Sequence, residues 1–236
     1  MYQSDKELKE NLAAAYHIIA GLNIDDLTYG HISIRSSDRK SFYICPFGNL
    51  FEEVSPDNLI EISLEGEVLE GSEYQYNRTG YITHTAIYNA RDDLNALFHL
   101  HSTAGVSVST MKYGLLPISQ FALHFYDKIS YHEYNSLSLK KLDGDKVVNS
   151  LGKNNIMILK NHGTFTGGKS IHEAMFYTYH LEQACKVQVK SIAAGIDNLN
   201  ITNASIAEKA RNDLLAFEED LGKRDWIALK RKFYNR

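Results

Sequence analysis

A chain of 236 residues, 44% hydrophobic and 23% charged, has the apolar content to bury one large core. Its formal net charge of −4 argues against sequence-independent nucleic-acid binding, which needs dense Lys and Arg against phosphates. No apolar run approaches a membrane span, and the polar, mixed-charge stretch Met1–Glu7 does not read as a secretory signal, so a cytoplasmic location is expected.

With 3 prolines and no Ser/Gly/Pro-rich linker, a single domain over residues 1–236 is expected. Ser4 to Glu7 reads as a capping box that opens an amphipathic helix through Leu8, Leu12, Ala15, Ile19 and Leu22. His31–Arg35 alternates like a strand, and Phe42–Cys45 follows as a second, closed by a turn at Pro46–Gly48. Leu59–Ser63 and Glu67–Leu69 flank Leu64-Glu65-Gly66 as a hairpin. Gly80–Asn89 has helical spacing, Leu94–His101 reads as a buried strand, and a helix is expected from about Ser102 to Met111. The aromatic stretch from Leu115 to Tyr134 shows no clear period. Ile156–Leu159 and Gly163–Thr166 read as strands. Ser170–Glu173 forms a second capping box, opening a helix that Gly195 stops, and a last helix is expected over 205–221. The basic tail from Lys223 to Arg236 reads as a solvated helix end, where cations are favoured. Cys45 and Cys185 are far apart and read as free thiols. Hairpins flanked by helices imply an α/β layered domain with a largely antiparallel sheet.

Ten histidines are many for this length, and three stand out. His99 and His101 are two residues apart, so on a strand both imidazoles project from one face and can reach one ion. His162 follows the apolar run Ile156–Leu159 and precedes Gly163, which places a third imidazole at a strand end. Three imidazoles with an open position would suit a catalytic divalent metal such as Zn2+, with Mn2+, Fe2+ and Ni2+ as alternatives. Spacing alone does not bring the third histidine to the first two.

The blocks Thr28–Arg35, His84–Tyr88, Leu97–Ser102 and Ile158–Gly163 resemble, in the same order, those of the class II aldolase/adducin family. The likeness runs from about residue 8 to 195, leaving 196–236 as a C-terminal helical extension. Ile44–Phe51, Met111–Gln120 and Tyr131–Tyr134 are more similar to the adducin head domain and its bacterial relatives than to fuculose-phosphate aldolase or ribulose-phosphate 4-epimerase. The resemblance implies a three-layer α/β/α fold, a ring-shaped homotetramer, and a metal bound by His99, His101 and His162. It also implies a substrate site at the positions holding His31, Gly48, Arg78 and Thr79. The family's acid–base or metal-binding glutamate aligns with Gly80, which can do neither, so ordinary sugar-phosphate aldol cleavage is not expected. Replacement acid–base groups could be Tyr131, His132, Glu133, Tyr134 or His124, though Tyr131–Tyr134 also reads as a packed loop. Arg78 could clamp an anion or be a surface cation. His84 reads as a structural histidine near the site, and His17, His172 and His180 as packing or surface residues.

Two functions compete. One is a metal-dependent carbon–carbon lyase, aldolase-like or decarboxylase-like, acting on a small anionic oxygenated substrate. The other is a non-catalytic adducin-type binding module, with actin or another cytoskeletal protein as partner. A purely structural zinc is disfavoured, since closed sites take four protein ligands and three are in view.

Overall fold

The structure, a computed structural model, describes residues 3–234. Helix α1 spans Asp5–Gly21 and begins as expected. Ser4 Oγ accepts from the Glu7 N–H while the Glu7 carboxylate accepts from the Ser4 N–H, which satisfies two end donors reciprocally. Eight strands follow along the chain: β1 His31–Arg35, β2 Ser41–Ile44, β3 Ile60–Ser63, β4 Val68–Glu70, β5 Ala96–Leu100, β6 Ile129–His132, β7 Ile156–Leu159 and β8 Gly163–Gly168. They form one sheet in the order β4-β3-β2-β1-β5-β8-β7-β6, antiparallel throughout except for the parallel pair β6–β7. Between and after them lie α2 (Arg78–Ala90), α3 (Thr103–Ser109), α4 (Gln120–Leu123), α5 (Lys141–Leu151), α6 (Ile171–Ser191), α7 (Ala204–Leu215) and α8 (Lys223–Phe233).

The two-residue period of the strands sorts side chains into two helical layers, giving the three-layer α/β fold. On β1 and β5, Ile32, Ile34, Ala96, Phe98 and Leu100 pack with α1, Met175 of α6 and Trp226 of α8. Leu97, with Met157, Leu159 and Phe165, packs on the other face against Ile87 and Tyr88 of α2 and Val147 and Leu151 of α5. The alternate residues of β1, namely His31, Ser33 and Arg35, are buried polar groups directed at that same α2 layer, where they meet His84 and Tyr88.

Three expectations change in detail. The stretch without a clear period holds α4 and the edge strand β6, so Tyr131 and His132 lie on a strand rather than in a loop. Residue Ser170 caps α6 through the Glu173 N–H, yet the Glu173 carboxylate takes the Lys169 N–H instead of the cap's own, so the second capping box is only half formed. The helix expected over 205–221 stops at Leu215. Buried Leu221 and Gly222, which has φ +80° and sits where a Cβ would lie 2.6 Å from the His172 carbonyl oxygen, fold the chain back against α6. The basic tail then forms α8, with Lys230, Arg231 and Lys232 in its last turn as expected and Trp226 buried beneath; Arg236 lies outside the described residues. Among the described residues no helix is long and apolar enough to cross a membrane, and Cys45 and Cys185 are free and buried.

Candidate metal centre

Three local features bring the histidines together. His99 lies on the central strand β5 and His101 just past its end, so the two-residue spacing puts both rings on the α2 side of the sheet. His162 sits in the β7–β8 turn, which Asn161 enters with φ +56°. Gly163 lets that turn press against β5: a Cβ there would lie 2.5 Å from the Leu100 carbonyl oxygen and 3.0 Å from His101 Cδ2. Ser109, at the end of α3, fixes the turn by accepting the His162 N–H at its Oγ (3.2 Å) and the Asn161 N–H at its carbonyl (3.1 Å).

The Nε2 atoms converge. His101 Nε2 is 3.0 Å from His99 Nε2 and 3.1 Å from His162 Nε2. Two nitrogens bound tetrahedrally at ~2.0–2.1 Å from one zinc ion would stand roughly 3.3 Å apart, so a small outward shift accommodates an ion. The opposite nitrogens of two rings are engaged: His99 Nδ1 by the Thr164 carbonyl at 3.0 Å, and His101 Nδ1 by the Asp26 carboxylate at 3.1 Å. Such outer contacts leave Nε2 as the free donor atom and make the carboxylate-bound imidazole a better ligand. Burial pushes His99 well below the ordinary histidine range, with His31, His101 and His162 adding to the effect; burial, then His101 and His132, push His162 down to about 4. Neutral imidazole is the ligand form, so both are ready at neutral pH without first losing a proton. The three candidate ligand atoms lie within 4.8 Å of one another. Among the described residues no fourth His, Cys, Asp or Glu groups with them, which leaves at least one coordination position open.

The cluster faces a cavity of about 220 Å3. Of the expected site residues, His31, Thr79, His132 and Glu133 line it, as does Tyr134, whereas Gly48 is represented there by its neighbour Phe47. His132 is pinned by Ser150 Oγ at 2.8 Å, and Glu133 is ion-paired to Lys160. Arg78 borders a different groove with Leu64, Glu65 and Tyr81. Tyr131 turns to the other face of β6, where its hydroxyl accepts the Leu115 N–H at 3.1 Å; neighbouring strand residues cannot both face the cavity, and His132 does. His124 is remote from the cluster and packs against Phe176 and His180. His84 stands behind His31 as a packed histidine, its Nε2 2.8 Å from His31 Nδ1. His17, His172 and His180 bond the Val54 carbonyl, Asp220 and the Phe176 carbonyl, respectively. Asp26, Thr164 and Lys160 were not legible as site residues. A backbone carbonyl has no residue signature, Asp26 is one of two aspartates in a turn, and Lys160 gave only its place beside the Asn161-His162-Gly163 motif as a hint.

Residues 10–189 match the profile of the Class II Aldolase and Adducin N-terminal domain. The chain is 36% identical to mouse (Mus musculus) alpha-adducin over 203 residues, covering 84% of this chain and 28% of that protein. The crystal structure of an aldolase II superfamily protein from Pseudomonas syringae superposes with a TM-score of 0.93 at 34% identity, covering 100% of this chain and 95% of that one. L-fuculose 1-phosphate aldolase from Glaciozyma antarctica superposes with a TM-score of 0.85 at 27% identity, covering 96% and 90%. Sequence profile, relatives and architecture agree: the chain belongs to the class II aldolase/adducin family.

Proposed function

We propose that the protein is a metal-dependent carbon–carbon lyase, aldolase-like or decarboxylase-like, acting on a small anionic oxygenated substrate. One observation carries this: three imidazoles, two of them braced from behind, converge with the His101 Nε2 about 3 Å from each of the other two and leave a coordination position open toward a cavity. His99, His101 and His162 would hold the ion, most readily Zn2+. When bound, it would polarise a substrate oxygen and stabilise negative charge developing beside it. The chain's own residues supply the rest. Leu159, Phe165 and Met157 form an apolar wall that limits water in the cavity, and His31, Thr79 and Lys160 present polar groups at its rim and floor. His132 is the best placed candidate for handling a proton, since it lines the cavity in a fixed orientation; Glu133 has its carboxylate committed to Lys160. No carboxylate stands at position 80, where the helix backbone of α2 presents Gly80 instead. This is why the reading departs from sugar-phosphate aldol cleavage. A homotetramer and a cytoplasmic location are part of the proposal.

The second reading, an adducin-type binding module, rests on the 36% identity to alpha-adducin. Metal content decides between them. About one ion per chain in protein purified without added metal, lost on His99→Ala/His101→Ala, followed by turnover of a hydroxy-aldehyde, ketose-phosphate or 2-hydroxy-acid, supports the enzyme. No metal even after reconstitution, together with cosedimentation on actin filaments at low salt, supports the module.

A further inference from the structure

Four buried polar groups form one hydrogen-bonded chain behind the cavity. His31 Nδ1 meets His84 Nε2 at 2.8 Å, His84 Nδ1 meets Ser33 Oγ at 2.6 Å, and Ser33 Oγ meets Tyr88 Oη at 2.8 Å. His31 is 4% exposed and the other three are fully buried, so no bulk water competes for these bonds. The chain has a direction, and one distance sets it. The single proton of Tyr88 can go to Ser33 Oγ at 2.8 Å or to the Asn95 carbonyl at 3.4 Å. The first is an ordinary O–H···O separation and the second lies outside that range. The Asn95 carbonyl is moreover already occupied by the Arg35 backbone N–H at 2.9 Å.

With Tyr88 donating to Ser33, the Ser33 hydroxyl must donate to His84 Nδ1. His84 then carries its proton on Nε2 and donates it to His31 Nδ1. His31, which lines the cavity, is left with its proton on Nε2, the ring nitrogen for which the described residues supply no hydrogen-bond partner. His31 lies beside the cluster, paired with His99 across β1 and β5, with ring centroids 4.8 Å apart. Gly80 makes room for this ring: a Cβ there would lie 2.9 Å from His31 Cγ and Cδ2.

We propose that His31 is the specificity-determining residue of the cavity, a fixed Nε2–H donor that, oriented by His84, Ser33 and Tyr88, selects small chelating carboxylates at the histidine cluster. This rests on the metal-centre reading above. A carboxylate accepts such a bond more strongly than a neutral oxygen does. Among the described residues lining the cavity Glu133 is the one carboxylate, and Lys160 pairs with it, while Asp26 behind the cluster is engaged by His101, so a second anion meets no unpaired negative side chain there. His84, Ser33 and Tyr88 act as positioning residues.

The test uses full-length protein loaded with zinc and oxalate as the probe. Nitrogen-15 NMR of labelled histidines should find the proton on Nε2 in both His31 and His84. Calorimetric titration should find oxalate bound roughly fivefold more weakly by Tyr88→Phe, which keeps the ring under the Arg35 guanidinium but removes the first donor of the chain. Gly80→Ala should weaken it at least as much by displacing the His31 ring, with zinc content unchanged in both variants. A proton on His31 Nδ1 in the wild type overturns the proposal. So does oxalate affinity that neither variant moves. Zinc content separates the two failures: wild type that takes up no zinc sinks the metal-centre reading and the ligand claim with it. Zinc-loaded protein with either negative result sinks this proposal alone.

Discussion

Two of the histidine groups in this molecule, each part buried and part half-buried, differ in what their rings do. At the cavity, His99, His101 and His162 come from two strand ends, and the His101 Nε2 stands about 3 Å from the Nε2 of each of the other two. Between α4 and α6, His124 and His180 also lie close, with ring centroids 4.6 Å apart and each Nδ1 tied to a backbone carbonyl. That second pair is layered on Phe176, whose ring centroid is 4.0 Å from that of His180. It gathers no third ligand among the described residues. Close-packed, partly buried imidazoles are therefore shared by both groups. What distinguishes a candidate ion site is convergence of the same ring nitrogen from three rings, with His99 and His101 braced on their far sides.

The comparison is open to test, beginning with the largest effect. His99→Ala/His101→Ala should take bound metal from about one ion per chain to none, measured by plasma mass spectrometry. His124→Ala/His180→Ala should leave that stoichiometry untouched, and metal lost from the second variant would break the distinction. Next, Gly163→Ala should both weaken metal binding and destabilise the fold by roughly 1–3 kcal/mol in chemical denaturation, since its Cβ would press on the Leu100 carbonyl and force β5 from the turn. Retained affinity in a fully stable variant would mean that the turn does not set the cluster.

A third effect involves both groups together. Burial pushes His84 down to about 3 and His124 and His162 to about 4, against an unfolded value near 6.5. Between those values the unfolded chain holds more protons than the folded one. Stability of metal-free protein should therefore be full above about pH 6.5 and fall as pH drops toward 4, by up to ~1.4 kcal/mol per pH unit for each such histidine. Denaturant midpoints across that range check the slope, and saturating zinc should raise the midpoints while keeping the slope and carrying it below pH 4, because it holds the cluster histidines unprotonated in the folded chain alone. The smallest effect is that of His124→Phe. It should reduce the acid slope by one histidine's share, change the melting temperature by only a few degrees, and leave the effect of zinc intact.

Much of the fold was legible because period and capping speak locally. The Ser4–Glu7 box, the alternation of His31–Arg35 and the 64–66 turn need only near neighbours to be read. The edge strand β6 was not, because Ile129–His132 is short and half-exposed and finds its place by pairing with β7 in parallel. Helix α5 was equally silent: it is mostly polar, and only Gly144, Val147 and Leu151 are buried along it. At the site, the His99–His101 pair followed from strand geometry, whereas His162 needed the family resemblance, since nothing in spacing folds the β7–β8 turn onto β5. Tyr131 and Arg78 show the converse, since adjacent residues carry comparable chemistry and only the backbone decides which of them faces the cavity.

The polar stripe on β1 has a consequence for how the layers assemble. An apolar helix can slide or rotate on an apolar sheet at modest cost, because any hydrophobic contact resembles another. Helix α2 cannot. His84 and Tyr88, one turn apart on one face of it, must find His31, Ser33 and Arg35 on alternate positions of the strand beneath. A slip of one residue would strand several buried donors and acceptors at once, each costing about 1–3 kcal/mol. The seam thus works as an index mark: it spends little on adhesion and instead admits a single docking register, so that the cavity wall is set in place when the helix lands.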